Sequence, residues 1–341
     1  MSTTRSGVIC GGCWLVDHNN SIAHWPEEET LANILTRTTD GGGPAHNMAI
    51  DLARLGATFP LWAMGAVGAD DAGRFLQASC HQHGIDASRL RVIENVATSH
   101  TDVMTVASSG KRTFFHHQGA NAHLSPDDFD FSDIPARILH LGAPGIHARM
   151  DAPWQEEANG WVGVLKRARN QGIWTNLEMI SAEPAEIRHL VGPCLPHLDS
   201  LIINDYEAGA LSGINIVCGG LTDVAAARRA ALNLLGAASL QCVVIHYPTG
   251  CVAASRGESN VIIHPSVQVP PEAIVGANGA GDAFAAGVLY GLHEKWPLHE
   301  GLELGLAAAA SALRSVSTTG AVATVEECKG LIRRWGWRAV S

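Results

Sequence analysis

The sequence predicts an α/β fold in which a mainly parallel sheet is covered by helices. Short apolar segments alternate with amphipathic helical stretches along the chain, which is the pattern of parallel strands joined by crossover helices. Hydrophobic residues make up 46% of the 341 residues and charged residues 16%, which is enough to build a large core. The sequence contains no internal repeat and no linker-like tract, so we expect a single domain over residues 1–341.

The expected strands are short apolar runs that end in polar residues or glycine. They are Gly7–Leu15, Thr58–Met64, Arg137–Leu141, Gly172–Asn176, Ser200–Asn204 and Gln241–His246. The expected helices carry apolar residues at helical spacing. They are Ala45–Leu55, Asp71–His83, Gln155–Asn170, Asp223–Leu235, Gly281–His293, Gly301–Ser315 and Val325–Arg334.

Two stretches interrupt this alternation. Residues 19–40 are polar, and residues 91–117 read as consecutive β segments with a hairpin turn at residues 108–111. Neither stretch can bury a core alone. We therefore expect both to form one discontinuous β lid, with limits at about residues 14–40 and 91–118, over the open end of the sheet.

Charge and cysteine content exclude several classes of function. A net charge of −10 argues against nucleic acid or an anionic membrane as a main partner, since both need a basic surface. Cys10 and Cys13 have CxxC spacing but lack the second ligand pair of a zinc site. Buried free thiols fit a reducing compartment, and we expect a cytoplasmic protein. The sequence also lacks the GxxxxGK[ST] motif, the HRD and DFG motifs of protein kinases, and the GxGxxG motif of dehydrogenases.

The run Gly279-Ala280-Gly281-Asp282 is the strongest candidate for catalytic chemistry. It stands where a predicted helix begins, and the unpaired N–H groups at a helix start form an anion site. A carboxylate there can take a proton from an alcohol while the N–H groups stabilise charge on a phosphoryl group. The run therefore indicates phosphoryl transfer. The alternative is an ordinary strand-to-helix turn.

Two further groups of residues suit a ligand rich in hydroxyl groups. Asp17 follows Gly11 and Gly12 near the end of the first expected strand, where open α/β sheets bind ligands. Gly41-Gly42-Gly43 precedes Asn47, whose amide can both donate and accept hydrogen bonds. A helix or turn cap is the alternative for Asp17, and a flexible hinge before a helix is the alternative for the glycines.

Two other motifs stand at helix starts. Asn204 and Glu207 follow a strand and offer hard oxygen ligands of the kind that suit hydrated Mg²⁺, but Asn and Glu three residues apart also form a capping box. Asp70 or Asp71, in a glycine-rich stretch without GxGxxG spacing, is interpreted as the cap of the next helix.

Taken together and in order, these motifs resemble those of the ribokinase-like (PfkB-type) carbohydrate kinase family over essentially the whole chain. The elements that carry the resemblance are Gly42 to Gly56 continuing to Asp70, Gly110-Lys-Arg-Thr-Phe with Gly119-Ala-Asn121, Asn204-Asp-Tyr-Glu207, and Gly279-Ala-Gly-Asp282. Five motifs in the family's order and spacing are far more specific than any one of them.

The resemblance implies a three-layer α/β/α sandwich with a small β-sheet lid, and ATP-dependent phosphorylation of a hydroxyl. By position, Asp282 would be the base that deprotonates the acceptor. The backbone N–H groups of Gly279, Ala280 and Gly281 would form the anion hole.

The resemblance also assigns binding residues. Asn204 and Glu207 would order Mg²⁺, through water. His246, Gly250 and Asn278 would lie beside ATP. The residues expected to hold the sugar hydroxyls are Asp17, Gly42, Gly43 and Asn47.

Two departures from the family pattern stand out. The family usually has Asp-Thr-Thr or similar before GAGD, where this chain has Gly276-Ala277-Asn278. In relatives the missing Asp and Thr help to bind an activating monovalent cation, so the departure counts against K⁺ activation. His246 replaces a hydroxyl residue that often faces phosphate. Side chains at other positions also indicate an acceptor pocket unlike that of ribokinase: His46, His116, His117 and Glu178.

Three functions remain open from the sequence. The first is a sugar kinase. The second is a nucleoside kinase of the same fold, in which Trp14 would stack on the base. The third is a non-catalytic sugar- or nucleotide-sensing homologue, suggested by the altered residues 276–278. Lids of this family often pair, so a homodimer through the lid is a further expectation.

Overall fold

The structure is a computed structural model that describes residues 5–339. The strands are β1 (Val8–Gly12), β2 (Leu15–Ile22), β3 (Ile34–Gly42), β4 (Leu61–Gly68), β5 (Asp86–Ile93), β6 (His100–Val106), β7 (Arg112–His117), β8 (Ile138–Gly142), β9 (Trp174–Leu177), β10 (Ser200–Asn204), β11 (Val217–Cys218), β12 (Leu221–Thr222), β13 (Cys242–Tyr247), β14 (Gly250–Ser255) and β15 (Ile262–Pro265).

Ten α-helices lie within the described residues. They are α1 (Pro44–Arg54), α2 (Asp71–Gln82), α3 (Ala148–Asp151), α4 (Gly160–Asn170), α5 (Pro184–Val191), α6 (Asp205–Ser212), α7 (Val224–Ala237), α8 (Ala280–His293), α9 (Leu298–Ala312) and α10 (Val325–Trp335). Short 3₁₀ helices occur at Gly119–His123, Pro126–Asp128, Gly192–His197 and Pro271–Ala273.

The central sheet has nine strands in the order β15-β14-β13-β10-β9-β8-β1-β4-β5. All neighbours from β13 to β5 are parallel, while β14 and β15 add antiparallel strands at one edge. This arrangement confirms the prediction of a mainly parallel α/β fold. The parallel strands also bring their carboxyl ends to one edge, where the candidate site lies.

Successive strand residues point to opposite faces of this sheet, so both faces carry apolar side chains, and helices cover both of them. Leu201 and Ile203 of β10 belong to a core that includes Trp161 of α4. Ile202, between them, belongs to a second core that includes Met48 of α1 and Phe284 of α8. Two cores on either side of one sheet form the predicted three-layer sandwich.

A separate four-stranded sheet has the order β3-β2-β6-β7. Asp17 of β2 pairs with Asp40 of β3 and with Thr101 of β6, and β2 and β6 run parallel. The four strands come from residues 15–42 and 100–117 of the chain.

The expected strand Gly7–Leu15 is wrong as a single element. The chain leaves the central sheet at Gly12, whose φ of 109° lies in the left-handed region. Cys13 N then donates to Gly142 O at 2.6 Å, and the chain enters the second sheet at Leu15. Asp17 therefore belongs to the second sheet and not to the end of the first strand.

Cys10 and Cys13 are fully buried, and all eight cysteines within residues 5–339 are free thiols. Among the helices of residues 5–339, none has the length and the apolar character needed to cross a membrane.

Candidate active site

The start of α8 forms a cradle of bare backbone at the carboxyl edge of the central sheet. Gly279, the N-cap, has a φ of 71°, and a Cβ atom there would lie 2.0 Å from Thr318 O. A Cβ atom at Gly281 would lie 3.2 Å from the His246 ring. Only glycine fits at position 279. The fourteen-residue helix α8 that follows directs the positive end of its dipole at this cradle. The site can therefore hold an anion.

Asp282 stands in the first turn of α8 and meets Asn47 of α1. Asn47 Nδ2 donates to Asp282 Oδ2 at 2.6 Å, and the Asn47 side chain is buried. The helix α1 begins after Gly43, whose φ is 91°, with Pro44 at its first position. Two helix N-termini, each carrying one of the sequence motifs, thus converge on one carboxyl group.

Asp17 faces this point from the second sheet. A Cβ atom at Gly42 would lie 2.2 Å from Asp17 Oδ2, so the carboxyl group rests directly on the Gly42 backbone. Burial, the Asp282 charge and the Asp40 charge raise the pKa of Asp17 to about 7. The structure therefore brings together the residues predicted to bind acceptor hydroxyls, namely Asp17, Gly42, Gly43 and Asn47.

Glu178 follows β9 and lies in hydrogen-bond contact with Asp282. Two carboxyl groups can share a hydrogen bond only if one is protonated. Burial and the Glu178 charge raise the pKa of Asp282 well above its usual range, while burial raises the pKa of Glu178 to about 7. Because both groups are buried and each disfavours ionisation of the other, the pair is best described as holding one proton between its two members.

A fully buried imidazole holds the other side of Glu178. His140 Nε2 lies 3.2 Å from Glu178 Oε2, and His140 Nδ1 lies 2.9 Å from Asn176 Oδ1. Asn176 Nδ2 donates to Ser200 O, so its oxygen faces His140 and Nδ1 is the donor. With its proton on Nδ1, a neutral His140 has a bare Nε2. A hydrogen bond between Nε2 and Glu178 Oε2 therefore requires that one of these two atoms be protonated.

Asp51 is a third carboxyl group near the base. It lies one turn after Asn47 on α1, is fully buried, and neither oxygen has a hydrogen-bond partner among the described residues. Burial, reinforced by the Asp282 charge, raises its pKa well above the usual range. Burial therefore favours the neutral form of Asp51.

Sequence reasoning named Glu178 only as one sign of an unusual acceptor pocket, and it did not single out His140 or Asp51. The available signals were a charged residue two positions after the expected strand Gly172–Asn176 and a charged residue within the apolar face of the α1 sequence. Neither pattern shows which other side chain it meets.

Asn204 and Glu207 form the capping box of α6. Asn204 Oδ1 accepts from Glu207 N at 2.9 Å, and Glu207 Oε2 accepts from Asn204 N at 3.0 Å. Ser181 Oγ donates to the other Glu207 oxygen at 2.9 Å. Within residues 5–339, no group of three or more His, Cys, Asp or Glu side chains is arranged to hold a metal ion. Asn204 and Glu207 offer oxygen atoms of the kind that suit a hydrated Mg²⁺.

A cavity of about 580 Å³ extends from this cap past the start of α8. His246, Gly250, Ala280 and Gly281 line it beside Asn204, and its far wall is apolar. Its volume is in the range of small-molecule sites. Burial lowers the pKa of His246 to about 4, so this ring is neutral beside the cradle. The cavity can take a ligand that has a flat apolar part and an anionic part, with the anionic part facing the start of α8. The apolar wall is formed by Val267, Val269, Ile274, Leu306 and Leu313.

Asn278 lies in a different cavity, of about 520 Å³, between residues 275–278 and the second sheet. Asn19, Ser21 and Thr38 line its opposite wall. Of this loop, Ala277 lines both cavities, whereas Asn278 lines only the second one.

Trp14 is not available to stack on a ligand. Its side chain is fully buried, its Nε1 donates to Met64 O at 3.1 Å, and its ring packs edge-on against His46. The expectation that Trp14 would stack on a nucleoside base is therefore wrong, because a bound base would have to displace core packing.

Asp70 is the N-cap of α2. Its side chain accepts from Gly73 N at 2.8 Å and also from Thr98 N at 2.8 Å. The interpretation of this glycine-rich stretch as a helix cap is confirmed.

Comparison with known proteins identifies relatives along nearly the whole chain. Residues 15–325 match the model described as pfkB family carbohydrate kinase. A fructokinase from Klebsiella pneumoniae is 28% identical over 293 residues, covering 83% of this chain and 85% of that protein. A 5-dehydro-2-deoxygluconokinase from Clostridium perfringens is 27% identical over 340 residues, covering 96% of this chain and 93% of that protein.

Solved structures show the same fold. The ribokinase of Arabidopsis thaliana, solved in complex with ribose and ATP, superposes with a TM-score of 0.78 at 21% identity, over 97% of this chain and 99% of that one. The nucleoside kinase of Methanocaldococcus jannaschii superposes with a TM-score of 0.75 at 17% identity, over 98% of this chain and 100% of that one.

Proposed function

The chain belongs to the pfkB family of carbohydrate kinases, and we propose that it transfers the γ-phosphoryl group of ATP to a hydroxyl of a small sugar at Asp282. The observation that carries the proposal is the convergence of Asn47 and Asp282 at the start of α8, beside the 580 Å³ cavity. This cavity is our candidate for the ATP site, since the phosphate groups of an ATP molecule bound there would meet the cradle at Gly279–Gly281.

In this proposal Asp282 accepts the proton of the acceptor hydroxyl. Its carboxyl group is held by Asn47, so one oxygen keeps a fixed direction. The acceptor oxygen then attacks the γ-phosphorus, the bond to the β-phosphate oxygen breaks, and ADP leaves. A positioned general base of this kind contributes roughly 10²–10⁴-fold to the rate.

The N–H groups of Gly279, Ala280 and Gly281 would stabilise the transferring phosphoryl group. They lie at the positive end of α8 with no side chain to cover them at Gly279 and Gly281. Donors held in place before the reaction need no reorganisation, which is why such sites lower barriers efficiently.

Asn204 and Glu207 are the residues that would hold a hydrated Mg²⁺. The ion would neutralise phosphate charge during transfer. His246 and Gly250 would line the nucleotide, while Asn278 stands where the family's cation ligands are replaced. We do not propose that K⁺ activates this enzyme.

The second sheet is our candidate for the lid, because Asp17 reaches the acceptor position from it. Its outer face exposes apolar side chains, with Leu35 55% and Phe115 52% exposed and Trp25 stacked on Phe115. We propose that this face pairs two copies of the chain. Free cysteines support a cytoplasmic location.

The test is ADP release from Mg-ATP across a panel of ketoses, aldoses and nucleosides. We expect turnover with at least one sugar, and a loss of about 10²–10⁴-fold in kcat for Asp282→Asn. Asp86→Asn, an exposed aspartate in β5, is the matched control and should leave turnover unchanged. Undiminished turnover in Asp282→Asn, or binding without phosphate transfer for every acceptor, would contradict the proposal.

A further inference from the structure

One wall of the candidate ATP cavity includes a segment that follows α10. This segment, residues 336–338, pairs with the chain just after β15. Gln268 N donates to Gly336 O at 2.9 Å, and Arg338 N donates to Ser266 O at 2.8 Å. Both Ser266 and Arg338 line the cavity. The segment is therefore held against the cavity by backbone hydrogen bonds.

Trp337 anchors this segment to the central domain. It forms an antiparallel bridge with Val267, and its ring packs edge-on against the His264 ring with the two centroids 4.4 Å apart. It also packs against the buried cluster that contains Val267 and Leu331. This anchoring fixes the backbone of the next residue, Arg338, at the edge of the cavity.

Arg338 brings an unengaged cation to this place. It is the one Arg or Lys among residues 5–339 that lines the cavity. Within the same residues, no side-chain hydrogen bond, ion pair or aromatic ring holds its guanidinium group. The two preceding arginines differ, because Arg333 pairs with Glu326 and Arg334 lies 5.6 Å from the centre of the Trp335 ring. The Arg338 guanidinium group is therefore available to a ligand.

The position of Arg338 in the cavity indicates which part of a nucleotide it would meet. Arg338 is bonded to the residue next to Val267, which belongs to the apolar wall. The anion cradle meets the cavity elsewhere, where Gly281 lies against the His246 ring. A nucleotide with its phosphate groups at the cradle would extend its base along the apolar wall toward Arg338.

We propose that Arg338 binds the base of the nucleotide, with its guanidinium group lying flat against the ring. The proposal rests on the proposed function, since it takes the 580 Å³ cavity as the ATP site. A planar guanidinium group stacks on aromatic faces and is attracted to their π electrons. Val269, Ile274 and Leu313 of the apolar wall would contact the rest of the base. Arg338 is in this view a nucleotide-binding residue that takes no part in the chemical step.

The experiment measures the affinity of the folded chain for three probes: ADP, adenosine and pyrophosphate. Each probe displaces a fluorescent ADP from the wild type and from Arg338→Ala. We expect Arg338→Ala to weaken ADP and adenosine by the same factor, about threefold or more, and to leave pyrophosphate unchanged. In turnover, KM for ATP should rise by a similar factor, while kcat and KM for the sugar stay the same. A general disturbance of the fold would change all three constants.

Two further variants separate stacking from charge and from unspecific effects. Arg338→Lys keeps the charge but has no planar group, so we expect it to bind ADP about as weakly as Arg338→Ala. Arg334→Ala removes a cation four residues earlier, outside the cavity, and should bind ADP like the wild type. Thermal unfolding without nucleotide confirms that each variant is folded before the affinities are compared.

The outcomes distinguish a failure of this inference from a failure of the proposed function. A wild type that neither binds ADP nor turns over Mg-ATP with any acceptor contradicts the proposed function. A wild type that binds ADP no better than Arg338→Ala overturns only the role of Arg338. Weaker binding of ADP and pyrophosphate with unchanged adenosine would assign Arg338 to the phosphate groups, and full recovery in Arg338→Lys would assign the effect to charge. Either result overturns the contact with the base.

Discussion

Asn47 Nδ2 donates a 2.6 Å hydrogen bond to Asp282 Oδ2, joining the first turns of α1 and α8 across 235 residues of sequence. This bond is the main contact that favours the ionised form of a carboxyl group whose pKa is otherwise raised by burial and by Glu178. The balance between Asn47 and Glu178 therefore sets the pH at which Asp282 can act as a base.

Replacing Asn47 with Ala removes the donor. The ionised form of Asp282 then loses a charged hydrogen bond, so its pKa rises and the acid limb of kcat/KM against pH moves to higher pH. A shift of about 1–2 pH units corresponds to the usual strength of such a bond. Asn159→Ala, which removes a buried amide at the start of α4, is the control and should leave the limb in place. An unmoved limb in Asn47→Ala would show that the bond does not tune the base.

Replacing Glu178 with Gln has the opposite sign. The carboxyl group of Glu178 raises the pKa of Asp282 both by its charge and by accepting the shared proton. An amide removes the charge and can donate to Asp282, so the acid limb should move to lower pH by about one unit or more. Rate profiles of the wild type and the variant, measured with one neutral sugar, test this. A shift to higher pH would be inconsistent with the contact described.

The fold was predictable where each element has an unambiguous pattern. The strand Ser200–Asn204 matches β10 because it is apolar on both faces and ends at a polar residue. The boundary between β1 and β2 was not predictable, since Cys13, Trp14 and Leu15 are as apolar as the strand before them. Composition cannot show that a chain changes sheets inside an apolar run. That change depends on the turn at Gly12 and its bond to Gly142.

The site was predictable where a motif is local. Gly279 to Asp282 and the residues around Asn47 are each read from a few consecutive residues. His140 lies on β8 and Glu178 directly follows the neighbouring β9, 38 positions away, and the two meet only because Leu141 pairs with Leu177. This register is set by the whole sheet, so no local pattern reveals the pair.

Gly279→Ala should abolish most of the activity. The new Cβ atom would stand 2.0 Å from Thr318 O, so the turn before α8 must move and carry its N–H groups with it. We expect kcat to fall by about 10²-fold or more, the usual effect of losing an oxyanion-type donor. Gly213→Ala is a matched control, because Gly213 has the same φ of 71° but no atom within 4 Å of the added Cβ. Similar losses in both variants would point to general backbone strain and not to the anion hole.

Gly287→Val should destabilise the protein through the contact between α8 and α9. A Cβ atom at Gly287 would lie 2.6 Å from Gly305 N and Cα, so the two helices pack backbone to backbone at this point. Overpacking of this kind costs about 1–3 kcal/mol, because the helices must separate. Urea unfolding should show a lower midpoint at an unchanged m-value. Gly163→Ala in α4 is the control: its nearest neighbour would be at 3.5 Å, an ordinary contact, and Ala should stabilise the helix slightly. An equal midpoint for Gly287→Val and the wild type would mean that α8 can shift freely, and the position of Asp282 would then not depend on this packing.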